Sequence, residues 1–283
     1  MLKQLSCYCQ YILPQHWLST LAGKLANSEN IWLKNKLIKF FCWQYTINLS
    51  EAAIEDPLAY KSFNHFFTRA LKDGARPINR QQDGITSPAD GTLAQHGHIH
   101  QHQLLQAKDM YFNVSSLLGG NTELADRFDN GHYATIYLAP HDYHRVHMPI
   151  SGKLSQSIYI PGSLFSVNTM TSELIPNLYA RNERLVLIFE TEFGPVAVIL
   201  VGALIVGSIQ TVWMDKPIRS DVIEVTMPDT DISLEKGAEL GHFQLGSTVI
   251  LLLPSAHPIK WDSTVAANKT LLTGQLLGSL SNT

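Results

Sequence analysis

Two hydrophobic periods divide the chain near residue 50. Upstream, apolar side chains recur every three or four positions: Trp17, Leu18, Leu21 and Leu25, then Leu33, Leu37, Phe40 and Phe41. That spacing predicts two amphipathic helices. Lys24, Lys34, Lys36 and Lys39 fall among them, with Glu29 the sole acid. Aromatic and leucine residues with lysines on the opposite side suit the interface of an anionic bilayer. An amphipathic helix packed on a core has the same periodicity. A third helix is expected from Asp56-Pro57, an N-cap with a first-turn proline, through Phe63, Phe66, Phe67 and Leu71 to Asp73-Gly74. From about residue 83 the period shortens to short apolar runs punctuated by Gly, Pro and Asp: "HYATIYLAP", "KLSQSIYIP", "RLVLIFETEFGPVAVIL", "DVIEVTMP" and "STVILLLP". These read as strands. The expected fold is α+β, a mostly antiparallel β core with N-terminal amphipathic helices. The expected division is a helical segment, 1–50, and a β-rich domain, 51–283.

Residues 193–213, "FGPVAVILVGALIVGSIQTVW", nearly reach membrane-spanning length. Pro195, Gly202 and Gly207 break the run, and Val and Ile dominate the pieces, so two buried strands about a bend are expected. "MLKQLSCYCQYILPQH" lacks the apolar core and small-residue cleavage site of a signal peptide. Net charge is −3 with no basic block, which sets nucleic-acid binding aside. Three cysteines, Cys7, Cys9 and Cys42, make no disulfide framework and point to a reducing compartment.

Polar residues gather at three places beside apolar strands. "SPADGTL" (87–93) is a turn with Asp90 at its tip, where a carboxylate commonly bonds its own backbone. "APHDYHRVHMP" (139–149) crowds His141, Asp142, His144, Arg145 and His147 into one segment, a density better suited to chemistry than to a structural loop. "LGST" (245–248) places Ser247 immediately before a core strand. A serine needs a base, commonly a histidine oriented by a carboxylate. Asp90, His147 and Ser247 would form such a relay if folding joins them. One outcome is a serine hydrolase, although the G-x-S-x-G elbow is absent. The other is attack by Ser247 on the preceding peptide bond, since the Gly246 carbonyl is unhindered. Elimination and hydrolysis would then leave a pyruvoyl group at position 247.

"FQLGST", "SPADGTL", "DYHRVHMP", "IPGSLFSVN" and "VGALIVGSIQT" together resemble the pyruvoyl-dependent phosphatidylserine decarboxylases, and the resemblance covers nearly the whole chain. It implies self-cleavage at Gly246-Ser247 into a β chain, 1–246, and an α chain, 247–283, with Asp90, His147 and Ser247 as the cleavage relay. The implied cofactor is the pyruvoyl group made from Ser247. It would form a Schiff base with phosphatidylserine, release CO2 and yield phosphatidylethanolamine. His144 becomes the proton donor and a substrate contact, and Ser166 of "PGSLFSVN" a second substrate contact. The implied partners are phosphatidylserine in an anionic membrane and the two chains in a heterodimer, with further dimerisation left open. The implied location is peripheral, on the cytoplasmic side of the cell membrane. No metal is called for. His96, His98, His100 and His102 would line one face of a strand, a pattern open to metal but also to an exposed hairpin.

Overall fold

The computed structural model describes residues 7–204, 209–218, 220–243 and 247–281. Helices α1 (Gln15–Ala26) and α2 (Ile31–Gln44) precede a 3-10 turn, Pro57–Ala59, and the short α3 (Phe63–Phe67). The strands that follow are β1 (Gly84–Thr86), β2 (Gly91–His98), β3 (Gln103–Ala107), β4 (Met110–Asn113), β5 (His132–Leu138) and β6 (Arg145–His147). Next come β7 (Gly152–Ile160), β8 (Arg184–Thr191), β9 (Gly194–Val201), β10 (Ile209–Thr211), β11 (Glu224–Thr226) and β12 (Ser233–Leu234). β13 (Glu239–Phe243), β14 (Ser247–Leu253), β15 (Ile259–Trp261), β16 (Thr270–Leu271) and β17 (Leu276–Leu280) complete the chain.

The large sheet runs β11-β7-β8-β9-β14-β5-β2-β16, with β12 also on β7, and every neighbour pair in it is antiparallel. The α+β reading therefore holds, and residues 193–213 contain the two strands β9 and β10; the Gly207 part of the expected bend lies outside the described residues. Strand β14 is buried throughout, and its side chains alternate between two apolar clusters. Val249, Leu251 and Leu253 face one; Ile250 and Leu252 face the other. A sheet buried on both faces needs such unbroken runs, which is why the sequence shows no polar alternation there.

The N-terminal helices form where their periodicity places them, but α1 turns the opposite face inward, whereas α2 buries Phe41 of its expected stripe and packs Leu37 on the same cluster. Gln15, Ser19 and Ala26 of α1 and Lys34, Ile38 and Phe41 of α2 are buried. Trp17, Leu21 and Leu25 are exposed together with Trp32, Phe40 and Trp43, the last to 77%. Hydrogen bonds explain the inversion. Gln15 accepts from the Leu164 N–H at 2.6 Å and donates to the Gln10 carbonyl at 2.7 Å, while the buried Lys34 Nζ donates to the Leu58 carbonyl at 2.7 Å. A buried polar group so satisfied costs little. Lys24, Lys36 and Lys39 share the exposed surface with the aromatic residues, so the expected segregation of lysines from apolar side chains fails. No helix among the described residues is long and apolar enough to cross a membrane.

Two further expectations change. The Asp56-Pro57 signal caps only the 3-10 turn, through Asp56 Oδ1 and the Leu58 N–H. Ser62 caps the separate helix α3, which ends at Thr68; its Phe63, Phe66 and Phe67 join Ile38, Phe41 and Tyr60 in a third apolar cluster. That cluster takes residues from both sides of position 50. The histidine row is also interrupted. Strand β2 ends at His98, and Gln101 and His102 turn through left-handed backbone (φ 50° and 58°), so the four imidazoles do not share a strand face. His102 instead meets Asp126 at 3.0 Å.

Candidate functional site

One end of the large sheet gathers the chemistry. Thr92, Tyr137 and Thr248 lie side by side on β2, β5 and β14. One step outward, Leu138 pairs with Ser247. Asp90 immediately precedes β2, and Ala139 immediately follows β5, so both stand at the same edge as Ser247. Glycine at 91 is required here: a Cβ would lie 2.3 Å from the Tyr137 carbonyl oxygen. Ser247 has the parity of Val249, which turns its side chain toward the cluster that contains Val146 and Met148. Its hydroxyl is buried and has no hydrogen-bond partner among the described residues, a state it shares with the neighbouring Thr248 hydroxyl. Gly246 lies outside the described residues.

The 139–144 turn brings His144 back to this edge. Its ring stacks on Phe67 at 4.1 Å between centroids, and Nε2–H donates to the Ala139 carbonyl at 3.1 Å. The carbonyl can only accept, so Nδ1 carries the lone pair; it too is unpartnered and buried. Complete burial, with Arg69 adding like charge, pushes the His144 pKa down to about 3. His144 is neutral at physiological pH.

His147 has both nitrogens engaged. Nδ1–H donates to the Gly237 carbonyl at 2.8 Å, and Tyr143 donates its hydroxyl to Nε2 at 3.0 Å. This fixes the tautomer with the basic lone pair on Nε2. Burial lowers the His147 pKa, partly offset by the Gly237 carbonyl, and burial pushes the Tyr143 phenol up. Gly237 reaches this position through a left-handed φ of 85°, with Ile78 too close to admit a Cβ.

Asp90 does not bond His147. Its carboxylate accepts from Arg76 Nη2 at 2.6 Å and Nε at 2.9 Å, and from the Thr273 N–H at 2.8 Å. Arg76 in turn reaches Glu51 at 2.9 Å. The backbones do meet, the His147 N–H donating to the Pro88 carbonyl at 2.7 Å, and the Asp90 charge favours protonation of His147. The structure therefore places Asp90, His144 and Ser247 at one strand edge. His147 lies on β6, backbone-bonded to the Asp90 turn but with no hydrogen bond to Ser247. Ser166 is tied elsewhere: its hydroxyl donates to Gln10 Oε1 at 2.9 Å. A cavity of about 250 Å³ opens beside the cluster, walled by Arg69, Arg76, Asp90, His141, Asp142 and Tyr143.

A family model described as phosphatidylserine decarboxylase matches residues 63–279, and a second, described as PSD, matches residues 5–46. The chain belongs to the phosphatidylserine decarboxylase family. Among its relatives, a "phosphatidylserine decarboxylase proenzyme" of Marinobacter nauticus is 48% identical, covering 99% of each chain. Proenzymes of the same description from Azotobacter vinelandii and Shewanella denitrificans are each 50% identical and cover 96% of each chain. Members of the phosphatidylserine decarboxylase family mature by self-cleavage and carry a pyruvoyl group made from a serine. The surroundings of Ser247 fit that group, because its side-chain oxygen sits buried without a competing partner among the described residues.

Arg76, Tyr143 and Gly237 were not singled out from sequence, and Phe67 only as an apolar helix residue. Tyr143 stands in "DYHRVHMP", one of the stretches that carry the family resemblance, and Arg76 and Phe67 stand in "FNHFFTRALKDGARPI", 63–78. The Gly237 carbonyl has no side-chain signal at all.

Proposed function

We propose that this chain is a pyruvoyl-dependent phosphatidylserine decarboxylase that cuts itself at Gly246-Ser247 and works on the surface of an anionic membrane. The observation that carries the assignment of the bond is the buried Ser247 hydroxyl at the head of β14, without a partner among the described residues, in a chain whose family matures by serine-derived self-cleavage.

His147 is the base. Its Nε2 exchanges the Tyr143 hydroxyl for that of Ser247, one hydrogen bond of about 1 kcal/mol net for another. It takes the serine proton as Oγ attacks the Gly246 carbonyl, and the amide nitrogen leaves protonated. The Gly237 carbonyl holds the tautomer that this requires. Asp90, kept in place by Arg76, supplies fixed negative charge that favours the imidazolium.

The pyruvoyl group formed at position 247 supplies an electrophilic carbonyl for the substrate amine and an electron sink for the carbon that loses CO2. His144 begins neutral, so it has to gain a proton before it can give one. An amine that attacks a carbonyl must shed protons, and the open Nδ1 takes one; the resulting imidazolium returns it to carbon. Ser166 offers its hydroxyl to the head group on release from Gln10. Residues 1–50 are the docking segment, with Trp17, Trp32 and Trp43 entering the interface and Lys24, Lys36 and Lys39 meeting anionic lipid on the cytoplasmic side. Residues 51–283 carry the chemistry, as a β chain, 1–246, bound to an α chain, 247–283.

Mass measurement under denaturing conditions tests the bond. The purified chain should give a 37-residue fragment, 247–283, with a ketoacyl end. Ser247→Ala should remain at 31.6 kDa and release no CO2. Efficient splitting of Ser247→Ala would refute the assignment.

A further inference from the structure

Four arginines are informative by comparison. Arg76 has Asp90 and Glu51, and Arg145 has Glu239 at 2.8 Å. Arg184, buried and without a carboxylate, is capped by carbonyls at every nitrogen: Leu117 on Nε, Asn182 on Nη1 and Ser116 on Nη2. Arg69 has neither solution. It is 3% exposed, and Nη2 alone is bonded, to the carbonyls of His141 and Asp142 at 3.1 and 3.2 Å. Nε and Nη1 are buried without a partner among the described residues, and no described carboxylate lies within 4 Å. A buried guanidinium left so incomplete is costly unless an anion completes it.

Nothing local in the described structure supplies that anion. Asp90 and Glu51 are both bonded to Arg76. Asp142 accepts from the Ala139 N–H at 2.7 Å, and its other oxygen faces His141. Arg69 nevertheless lines the cavity at the sheet edge, two residues beyond the phenylalanine stacked on His144. Its Nη2 grips the turn that leads from Leu138, opposite Ser247, to His144.

We infer that Arg69 binds the phosphodiester of the substrate head group. This rests on the reading of this edge as the decarboxylation site, and the reaction discriminates between the two anions that phosphatidylserine carries. The carboxylate loses its charge as CO2 departs, so a cation paired with it holds the ground state more tightly than the transition state and slows the step. The phosphodiester charge is unchanged throughout. A cation there binds substrate and transition state alike and contributes to KM. A desolvated guanidinium is suited to phosphate oxygens through charge-assisted hydrogen bonds.

The product provides the test, because phosphatidylethanolamine keeps the phosphodiester and lacks the carboxylate. With self-cleaved full-length protein and short-chain lipids, Arg69→Gln should raise KM for phosphatidylserine and Ki for phosphatidylethanolamine by the same factor, tenfold or more. Its kcat should fall by less than KM rises. Arg69→Lys should recover part of both. A rise in KM with Ki unmoved would move Arg69 to the carboxylate and overturn the proposal, as would no change in either. Wild-type protein supplies an arm independent of folding: glycerophosphoethanolamine should inhibit at least tenfold better than ethanolamine. Equal inhibition would refute phosphate recognition. Inorganic phosphate matching glycerophosphoethanolamine would mark a free-anion site and overturn the head-group assignment. Absence of decarboxylation by wild type would sink the underlying site reading instead.

Discussion

Replacing His144 by Phe tests the claim that a neutral imidazole is locked inside the site. The substitution preserves a flat ring against Phe67 and removes the titratable group. Burial holds the folded-state pKa at about 3, against about 6.5 in the unfolded chain. The group is thus depressed on folding, and the unfolded state binds the extra proton between those values. Its contribution to stability is present in full above pH 6.5 and is lost as pH falls toward 3. The loss approaches about 1.4 kcal/mol per pH unit, so lowering pH from 7 to 5 removes about 2 kcal/mol through this residue alone. Urea unfolding of Ser247→Ala protein, a single uncut chain, measures it at the two pH values. Adding His144→Phe should shrink the drop in unfolding free energy by about 2 kcal/mol, whatever its effect at pH 7. His147, His96, His132 and His242 are also depressed by burial and should preserve the remaining acid sensitivity. An unchanged drop would mean that His144 is solvated or charged, and the proton route through its Nδ1 would fall with that result.

Arg76→Met should strand the Asp90 carboxylate, cost about 3–5 kcal/mol and slow chain splitting. Adding Asp90→Asn should restore much of the stability but not the splitting; unimpaired splitting in the double variant would remove both residues from maturation. Changing Trp17, Trp32 and Trp43 together to Ser should weaken binding to anionic vesicles by on the order of a hundredfold or more, since each exposed indole contributes at least about 1 kcal/mol when buried in the interface. Splitting should continue, and vesicle binding at wild-type strength in flotation would relocate the docking surface.

The β core was legible because its strands are unusually apolar: β8, β9 and β14 are continuous runs that only a doubly covered sheet can bury. The helices were legible in position, but α1 was not legible in facing. Periodicity identifies an apolar stripe, yet whether that stripe or Gln15 points inward depends on a hydrogen bond to Leu164, 149 positions away. The aromatic cluster of α3 was visible, whereas the Ser62 cap that begins the helix afresh was hidden by the stronger Asp56-Pro57 signal. At the site, Asp90, His144, His147 and Ser247 stood out through motifs. Their partners did not, because Arg76, Gly237 and Arg69 act across loops through a side chain or a carbonyl that has no local pattern.

Three of the residues with unsatisfied polar atoms at this edge share a logic. Ser247 Oγ, His144 Nδ1 and two nitrogens of Arg69 are buried without partners among the described residues, as are the hydroxyls of Thr248 and Thr273 beside them, although the surrounding arginines and carboxylates are paired. Each such group costs about 1–3 kcal/mol, and together they would be a poor investment in a purely structural core. For Ser247, His144 and Arg69 the cost is intelligible if each waits for a different reactant: a peptide carbonyl for the hydroxyl, an amine proton for the imidazole and a phosphate for the guanidinium. Stability and readiness therefore compete at the same strand edge. The broad apolar sheet behind it supplies the surplus burial that makes such a destabilised edge tolerable.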